Sequence, residues 1–408
     1  MPGLAPALPL DGLRVLEYAQ YVAGPFAGML LADLGADVVK VEPPGGDAWR
    51  HYDPHVPGGS RSFFALNRNK RSVVLDLKAA EGRAASAALI ADADAVIHNL
   101  PPERAVRFGL DRDAVAAVNP RCVWCVVSAL GTDGPEAGLT AFDLVAQALS
   151  GLLLADARPG DDVPRRAGGI AMADFTAGLL AAISVLAGLV ARAERAPGVE
   201  VSLLGAALAV QAQRFVELGD GAVAGHGAAA DAAPSARPVT RADLEDRAAG
   251  TRAAEALEPY YRAYAAADGF FVLTCLNEAQ RRAALKVLGL EDPWAADPQA
   301  PPADAAERAD RAALVARFET LLSRATAAEW IVAFRAAGVP AAEVRPLERL
   351  YDDPQARAHG LVQDVPAPAA GAVRLLGNVF KVDGRPAAAR RGVPALGEHT
   401  AEVLGELP

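Results

Sequence analysis

The stretch "LRVLEYAQYVAGPFAGMLLADLGADVVKVE", Leu13 to Glu42, decides the fold. Its opening, "LRVLEYA" (Leu13–Ala19), is a short, mostly apolar run of strand length. "GPFAGMLLADLG" (Gly24–Gly35) reads as a helix, with Pro25 in the first turn and Gly35 as the stop. "ADVVKVE" (Ala36–Glu42) is strand text again. Strand, helix and strand within about 30 residues make a βαβ unit, which implies a parallel sheet.

Outward from that unit the alternation repeats. Strands are predicted at Arg71–Leu77, Asp94–Leu100 and Cys122–Leu130, and a helix at Ala80–Ala93. "DRDAVAAVN" and "AFDLVAQALSG" are further helices. This is the pattern of a doubly wound, Rossmann-like α/β domain with a parallel sheet. After Glu217 the text changes: "GDGAVAGHGAAADAAPSARP" is rich in Gly, Ala and Pro and is expected to be irregular. "EPYYRAYAAADGFFVLTCL" then opens new structure, with a turn at Asp268–Gly269 and a strand at Phe270–Thr274. Helices are expected around Ala279–Leu288 and Arg308–Arg335, and "GVPAAEV" and "GAVRLLGNVFKV" return to turn and strand text. The expected organisation is a large α/β domain over 1–217, a linker over 218–249, a smaller α+β domain over 250–345, and a tail over 346–408 that returns to the first domain.

The totals bound the function. A chain of 408 residues exceeds one ordinary core, and 52% hydrophobic against 22% charged residues is a globular balance. The net charge of −10 argues against a nucleic-acid partner. "MPGLAPALPLDG" lacks the basic start and apolar centre of a signal peptide, and the 3 Cys make no disulfide framework, so a cytoplasmic location is expected. Phe175–Ala191 carries no charge over about 17 residues, the lower edge of a membrane span. Its Ala and Gly content and its α/β setting predict a buried helix instead, with no membrane partner.

That helix belongs to "RRAGGIAMADFTAGLLAAISVLAGLVARA" (Arg165–Ala193), whose one carboxylate is Asp174. One reading makes Asp174 an N-cap. The other makes it a nucleophile or base held in a dry pocket. Elsewhere the chemistry-bearing patterns are mostly negative. The first βα turn has only Gly24 and Gly28, so the G-x-G-x-x-G fingerprint is absent and NAD is disfavoured, although Glu42 stands where a ribose-binding acid would. "CVWC" lies in a strand, where positions three apart face opposite ways, and reads as core. No G-x-S-x-G surrounds a Ser. The histidines, His51, His55, His98, His226, His359 and His399, show no ligand spacing, so no metal is expected. Arg50, Arg61, Arg68, Lys70, Arg71, Lys78, Arg104 and Arg107 cluster near strand ends and loops. As a group in an acidic protein they suit a phosphorylated ligand.

Together, "LEYAQYVAGPFAGMLLADLGADVVKVEPPGGDAWR", "NRNKRSVVLDLK", "ADAVIHNLPPERAVRFGL", "FDLVAQALSG" and the tail "PALGEHTAEVL" resemble the class III CoA-transferase family, the CaiB/BaiF-like formyl-CoA and carnitine CoA-transferase type. The resemblance runs from Leu10 to about Leu204, resumes weakly near Glu258 and closes at Leu404. It implies an enzyme whose Asp174 is the nucleophile, moving CoA between an acyl-CoA thioester and a free carboxylic acid by way of an aspartyl anhydride and an aspartyl-CoA thioester. No permanently bound cofactor is implied; coenzyme A enters as part of the substrate. The implied CoA contacts are Gln20, Val22, Ala23, Leu75, Lys78, Asn99, Leu100 and Arg107, and Gln20, Phe142 and Asp143 are candidates for catalytic or oxyanion support. The family also implies an interlocked homodimer, each chain threading its partner's ring.

The chain departs from the family in places. Pro43 stands where some members have an Arg, "ERAPGVEVSLL" is short and lacks a usual Gln, and the 218–249 text is atypical. A substrate choice different from the formyl/oxalate branch is therefore expected. Three other functions compete: an intramolecular CoA shift on a dicarboxylyl-CoA, α-methylacyl-CoA racemisation, and a non-catalytic CoA-ester binding protein. The racemases resembling this fold carry a His where Phe142 stands, and Phe holds no proton.

Overall fold

The computed structural model describes residues 8–52, 55–137, 139–216, 238–368 and 370–407. They form two compact units: one of 1–156, 165–215 and 351–408, the other of 157–164 and 216–350.

In the first unit, β1 (Arg14–Tyr18), α1 (Ala23–Asp33) and β2 (Asp37–Glu42) make the expected βαβ. The chain continues through β3 (Lys70–Val74), α2 (Ala80–Ala91), β4 (Ala95–His98), α3 (Pro102–Phe108), α4 (Arg112–Val118) and β5 (Val123–Ser128). Next come α5 (Asp143–Leu149), α6 (Met172–Ala191), β6 (Gly198–Ser202) and α7 (Leu203–Ala209). The six strands pair in the order β3-β2-β1-β4-β5-β6, all parallel. This is a doubly wound sheet whose direction of winding reverses between β1 and β4, and ligands of such sheets sit outside the strand C-termini at that point.

Two hydrophobic cores cover the two faces. Val15, Ile97 and Cys125 point to the core that holds α1 and α6, while Leu16, Val96 and Cys122 point to the core under α2 and α4. The C-x-x-C pair is thus split across the sheet, and burial pushes both thiols up to about 12.

Helix α6 is long and apolar enough to cross a membrane, and it packs along one face of the sheet instead. Its approach requires glycine: a Cβ on Gly178 would meet the Ala23 carbonyl at 2.7 Å. Gly28 of α1 serves similarly, since a Cβ there would meet Glu17 Oε2 at 2.0 Å. The G-x-x-x-G of the first turn therefore permits helix packing over a buried charge and does not cradle a phosphate.

Glu17 is wholly buried. It receives Lys40 Nζ at 2.8 Å and Lys70 Nζ at 2.7 Å. The basic cluster read from the sequence accordingly does not gather at the surface. Arg50 binds Glu42, Arg68 binds Asp33, and Arg71 binds Asp37 and Glu406, all four basic groups including Lys70 being buried. Arg61, Lys78, Arg104 and Arg107 remain exposed. Glu42, the candidate ribose-binding acid, already holds Arg50 Nε and Nη2 at 2.7 Å each and Ser72 Oγ at 2.6 Å. The tail ends beside β3: His399 N–H donates to Ser72 O at 2.9 Å, and the helix Thr400–Gly405 buries Val403.

In the second unit, the strands Tyr261–Ala265, Phe270–Thr274 and Ala341–Glu343 form an antiparallel sheet with Phe270–Thr274 in the centre. It packs on helices through Tyr264, Phe271, Phe318 and Phe334. The helix expected over Arg308–Arg335 is two helices, Ala305–Leu322 and Ala327–Ala336. A capping box between Thr326 and Glu329 starts the second and interrupts the run. Of the expected linker, 218–237 lies outside the described residues, while its later part is helical over Arg241–Glu255, with Asp243 accepting from Thr240 N–H at 2.6 Å.

Candidate active site

A cavity of about 430 Å³ opens at the C-terminal ends of β1, β4 and β5. Three loops build it. The first follows β1. Gln20, Tyr21, Val22 and Ala23 line the cavity, and Asn99 clamps the loop from the end of β4 by accepting the Gln20 N–H at 3.1 Å and donating to Gln20 O at 2.8 Å. Gln20 Oε1 accepts the Ala48 N–H at 3.2 Å. Tyr21 holds φ +69°, a region that non-glycine residues rarely adopt. Its N–H donates to Asp47 Oδ1 at 3.2 Å, and Asp47 Oδ2 is paired with buried Lys40 at 2.8 Å. The buried charges under β1 thus hold the loop in its strained form.

The second loop precedes α5. Phe142 is 56% exposed, lines the cavity and meets the Tyr21 ring edge-on at 5.4 Å. The third is the Gly-rich approach to α6, where Gly168 (φ +59°) and Gly169 (φ +71°) turn the chain. Gln147 of α5 fastens this turn: its Oε1 accepts the Ala167 N–H at 3.0 Å and its Nε2 donates to Ile170 O at 3.2 Å.

Asp174 is the third residue of α6 and lines the cavity, half-buried. It is not the N-cap. The first-turn N–H groups of Ala173 and Asp174 donate to Asp143 Oδ1, at 2.9 and 3.3 Å, so the cap comes from another helix. Asp143 is buried and is further held by Gln147 Nε2 at 2.8 Å, with Arg166 Nε 3.6 Å away. The Asp174 carboxylate makes no hydrogen bond to another described residue. Burial, and then the charge of Asp143, push its pKa up to about 7, against a smaller opposing effect of Arg166. Helix position alone favours an ionised acid at that end; here the helix N–H groups are spent on Asp143, and desolvation prevails.

Of the residues expected at the site, Gln20, Val22, Ala23, Asn99, Leu100, Phe142 and Asp174 line this one cavity. Asp143 stands behind Asp174. Leu75, Lys78 and Arg107 do not line it: Leu75 is buried in the core with Val73 and Leu89, and Lys78 and Arg107 are exposed. Sequence reasoning missed Tyr21, His98 and Trp124 as lining residues, and had Arg104 only as one of a basic group suited to a phosphorylated ligand. Tyr21 lies within the matched blocks, but an aromatic beside a strand carries no local signal of a site.

The family profile described as CoA-transferase family III matches residues 10–400. Across its full length the chain is 31% identical to the succinate–glutarate CoA-transferase of Agrobacterium fabrum and covers 97% of that protein. The acetyl-CoA:oxalate CoA-transferase of Acetobacter aceti is 31% identical over 98% of this chain and 96% of its own. Among solved structures, a CaiB/BaiF family protein from Brucella suis superposes with a TM-score of 0.74 at 28% identity, over 98% of this chain and 100% of that one.

Proposed function

Because the chain belongs to CoA-transferase family III, we propose that it exchanges CoA between an acyl-CoA and a free carboxylic acid through covalent catalysis at Asp174. The observation that carries this reading is a carboxylate in the cavity with a raised pKa and no hydrogen-bond partner among the described residues, beside a second acid that does the capping.

An Asp174 oxygen attacks the thioester carbonyl, forming a mixed anhydride and expelling CoA thiolate. The thiolate attacks the aspartyl carbonyl, giving an aspartyl-CoA thioester and releasing the donor acid. The acceptor carboxylate then attacks this thioester, and the thiolate returns to the new acyl carbonyl, freeing Asp174. The partly desolvated carboxylate is a stronger nucleophile than one in water, and the apolar wall of Val22, Ala23, Phe142 and Leu203 keeps water from both intermediates. Gln20 stands on the same wall as oxyanion support. The CoA moiety lies along Asn99 and Leu100, with the exposed cations Arg104, Arg107 and Lys78 available to its phosphates. Racemisation is disfavoured, since Phe142 supplies no second acid or base.

Relatives act on succinate, glutarate and oxalate, so succinyl-CoA with glutarate is the first donor and acceptor pair to test, within a wider panel. Exchanged thioesters are read by mass. Hydroxylamine added after acyl-CoA is expected to convert Asp174 to a hydroxamate, seen on the peptide spanning Ala167–Arg192. Turnover without any modification of that peptide, or retained by Asp174→Asn, would overturn the mechanism.

A further inference from the structure

One polar group in the cavity has no part in the chemistry above. His98 ends β4, is 1% exposed, lines the cavity, and rests against Trp124 with ring centroids 5.3 Å apart. Its two nitrogens differ. Nδ1 accepts the Leu100 N–H at 3.3 Å, which leaves the ring proton on Nε2. That Nε2 is buried and makes no hydrogen bond to any described residue. Burial pushes the pKa down to about 4, with the charge of Asp111 opposing weakly, so the ring is neutral.

A neutral donor hidden from water without a partner is costly, and the cost is removed when a bound acceptor reaches it. Leu100, Pro101, Ala105 and Trp124 of the same cavity carry no side-chain acceptor. The charged groups of this cavity besides Asp174 are Asp111, whose Oδ1 accepts the Ala114 N–H at 3.1 Å, and the exposed cations Arg104 and Arg112, which suit phosphate. His98 instead suits a neutral acceptor.

We propose that His98 is a binding residue for the CoA moiety, its Nε2–H donating to a neutral acceptor: an amide carbonyl of the pantetheine arm or a ring nitrogen of adenine. This rests on the CoA-transferase reading and adds a contact to it. An uncharged acceptor reaches that depth without the desolvation cost that burying a phosphate or a carboxylate would carry.

The test uses the full-length wild-type protein labelled with ¹⁵N at histidine, with the His98 signals assigned through His98→Gln. Two ligands are titrated separately. Adenosine 3′,5′-bisphosphate carries the adenine, and an acyl-pantetheine carries the amides. One of them is expected to move the His98 Nε2–H proton downfield while the ring stays neutral, and the one that does so identifies the acceptor. In kinetics, His98→Phe keeps the ring volume without the donor. It is expected to raise KM for acyl-CoA about tenfold, with the effect in KM and not in kcat. His98→Gln, which restores an N–H donor, is expected to recover most of it. A His98 signal unmoved at saturation by both ligands would overturn the proposal, as would a folded His98→Phe protein with wild-type KM. If calorimetry shows that CoA itself does not bind, the CoA-transferase reading falls and this contact with it. Binding of CoA with a silent His98 removes only the contact.

Discussion

Asp143 performs the capping that was one of the two competing readings of Asp174. Asp143 takes the helix N–H groups, and the Asp174 carboxylate makes no hydrogen bond to another described residue, as the proposed nucleophile requires. Asp174→Asn is therefore expected to fold and to lose turnover by several orders of magnitude in the thioester-exchange assay. The pKa near 7 sets a second expectation: kcat/KM should rise with pH through about 7 as Asp174 ionises. Asp143→Asn removes the neighbouring charge while keeping a capping oxygen, so the rise should move to lower pH, measurable in the same profile. Stability carries the opposite sign. The folded-state pKa lies above the ordinary value of 3.8, so the proton on Asp174 stabilises the fold. That contribution is complete below about pH 4 and is lost as pH rises to about 7. At pH 8, Asp174→Asn should be more stable than wild type by ~1–3 kcal/mol, and at pH 4 the two should unfold alike, as read from urea midpoints.

At the scale of elements, α1 is placed by what it must avoid. Glu17 bridges two buried lysines directly beneath Gly28, leaving no room for a methyl group. Gly28→Ala is expected to destabilise the protein by about 3 kcal/mol or more, because the side chain would displace one member of a buried ionic network. Chemical denaturation of the purified variant checks this. The same network reaches Asp47 and through it the Tyr21 backbone, so the variant is also expected to lower activity when assayed well below its unfolding midpoint. The break between the two helices at Ser323–Thr326 was legible in principle, since T-x-x-E is a capping signature.

At the scale of the molecule, the first unit leaves an apolar face uncovered. Leu179, Ile183 and Val190 of α6 are 46%, 60% and 88% exposed, and Leu144 and Leu149 of α5 are 47% and 50% exposed. Such a face calls for a partner. We propose the homodimer that the family resemblance implies. Light scattering behind size exclusion should give twice the mass of one chain, unchanged on dilution to about micromolar concentration, where interfaces of standard size remain closed. A clean monomer would overturn it.

The parallel sheet and the place of Asp174 were legible in the sequence, because both are written locally. Alternating apolar runs and stop signals record which side of each element meets the core, and a lone acid after two glycines is visible in any window. The fate of the charges was decided only in three dimensions. Arg71 finds Glu406 across 335 positions of sequence, and Arg68 finds Asp33 across 35. A charge is read locally as solvated, whereas its partner, and with it burial, comes from a distant segment. For the same reason the cap supplied by Asp143 from 30 residues upstream of Ala173, and the unpartnered Nε2 of His98, exist only once the strands and helices have been brought together.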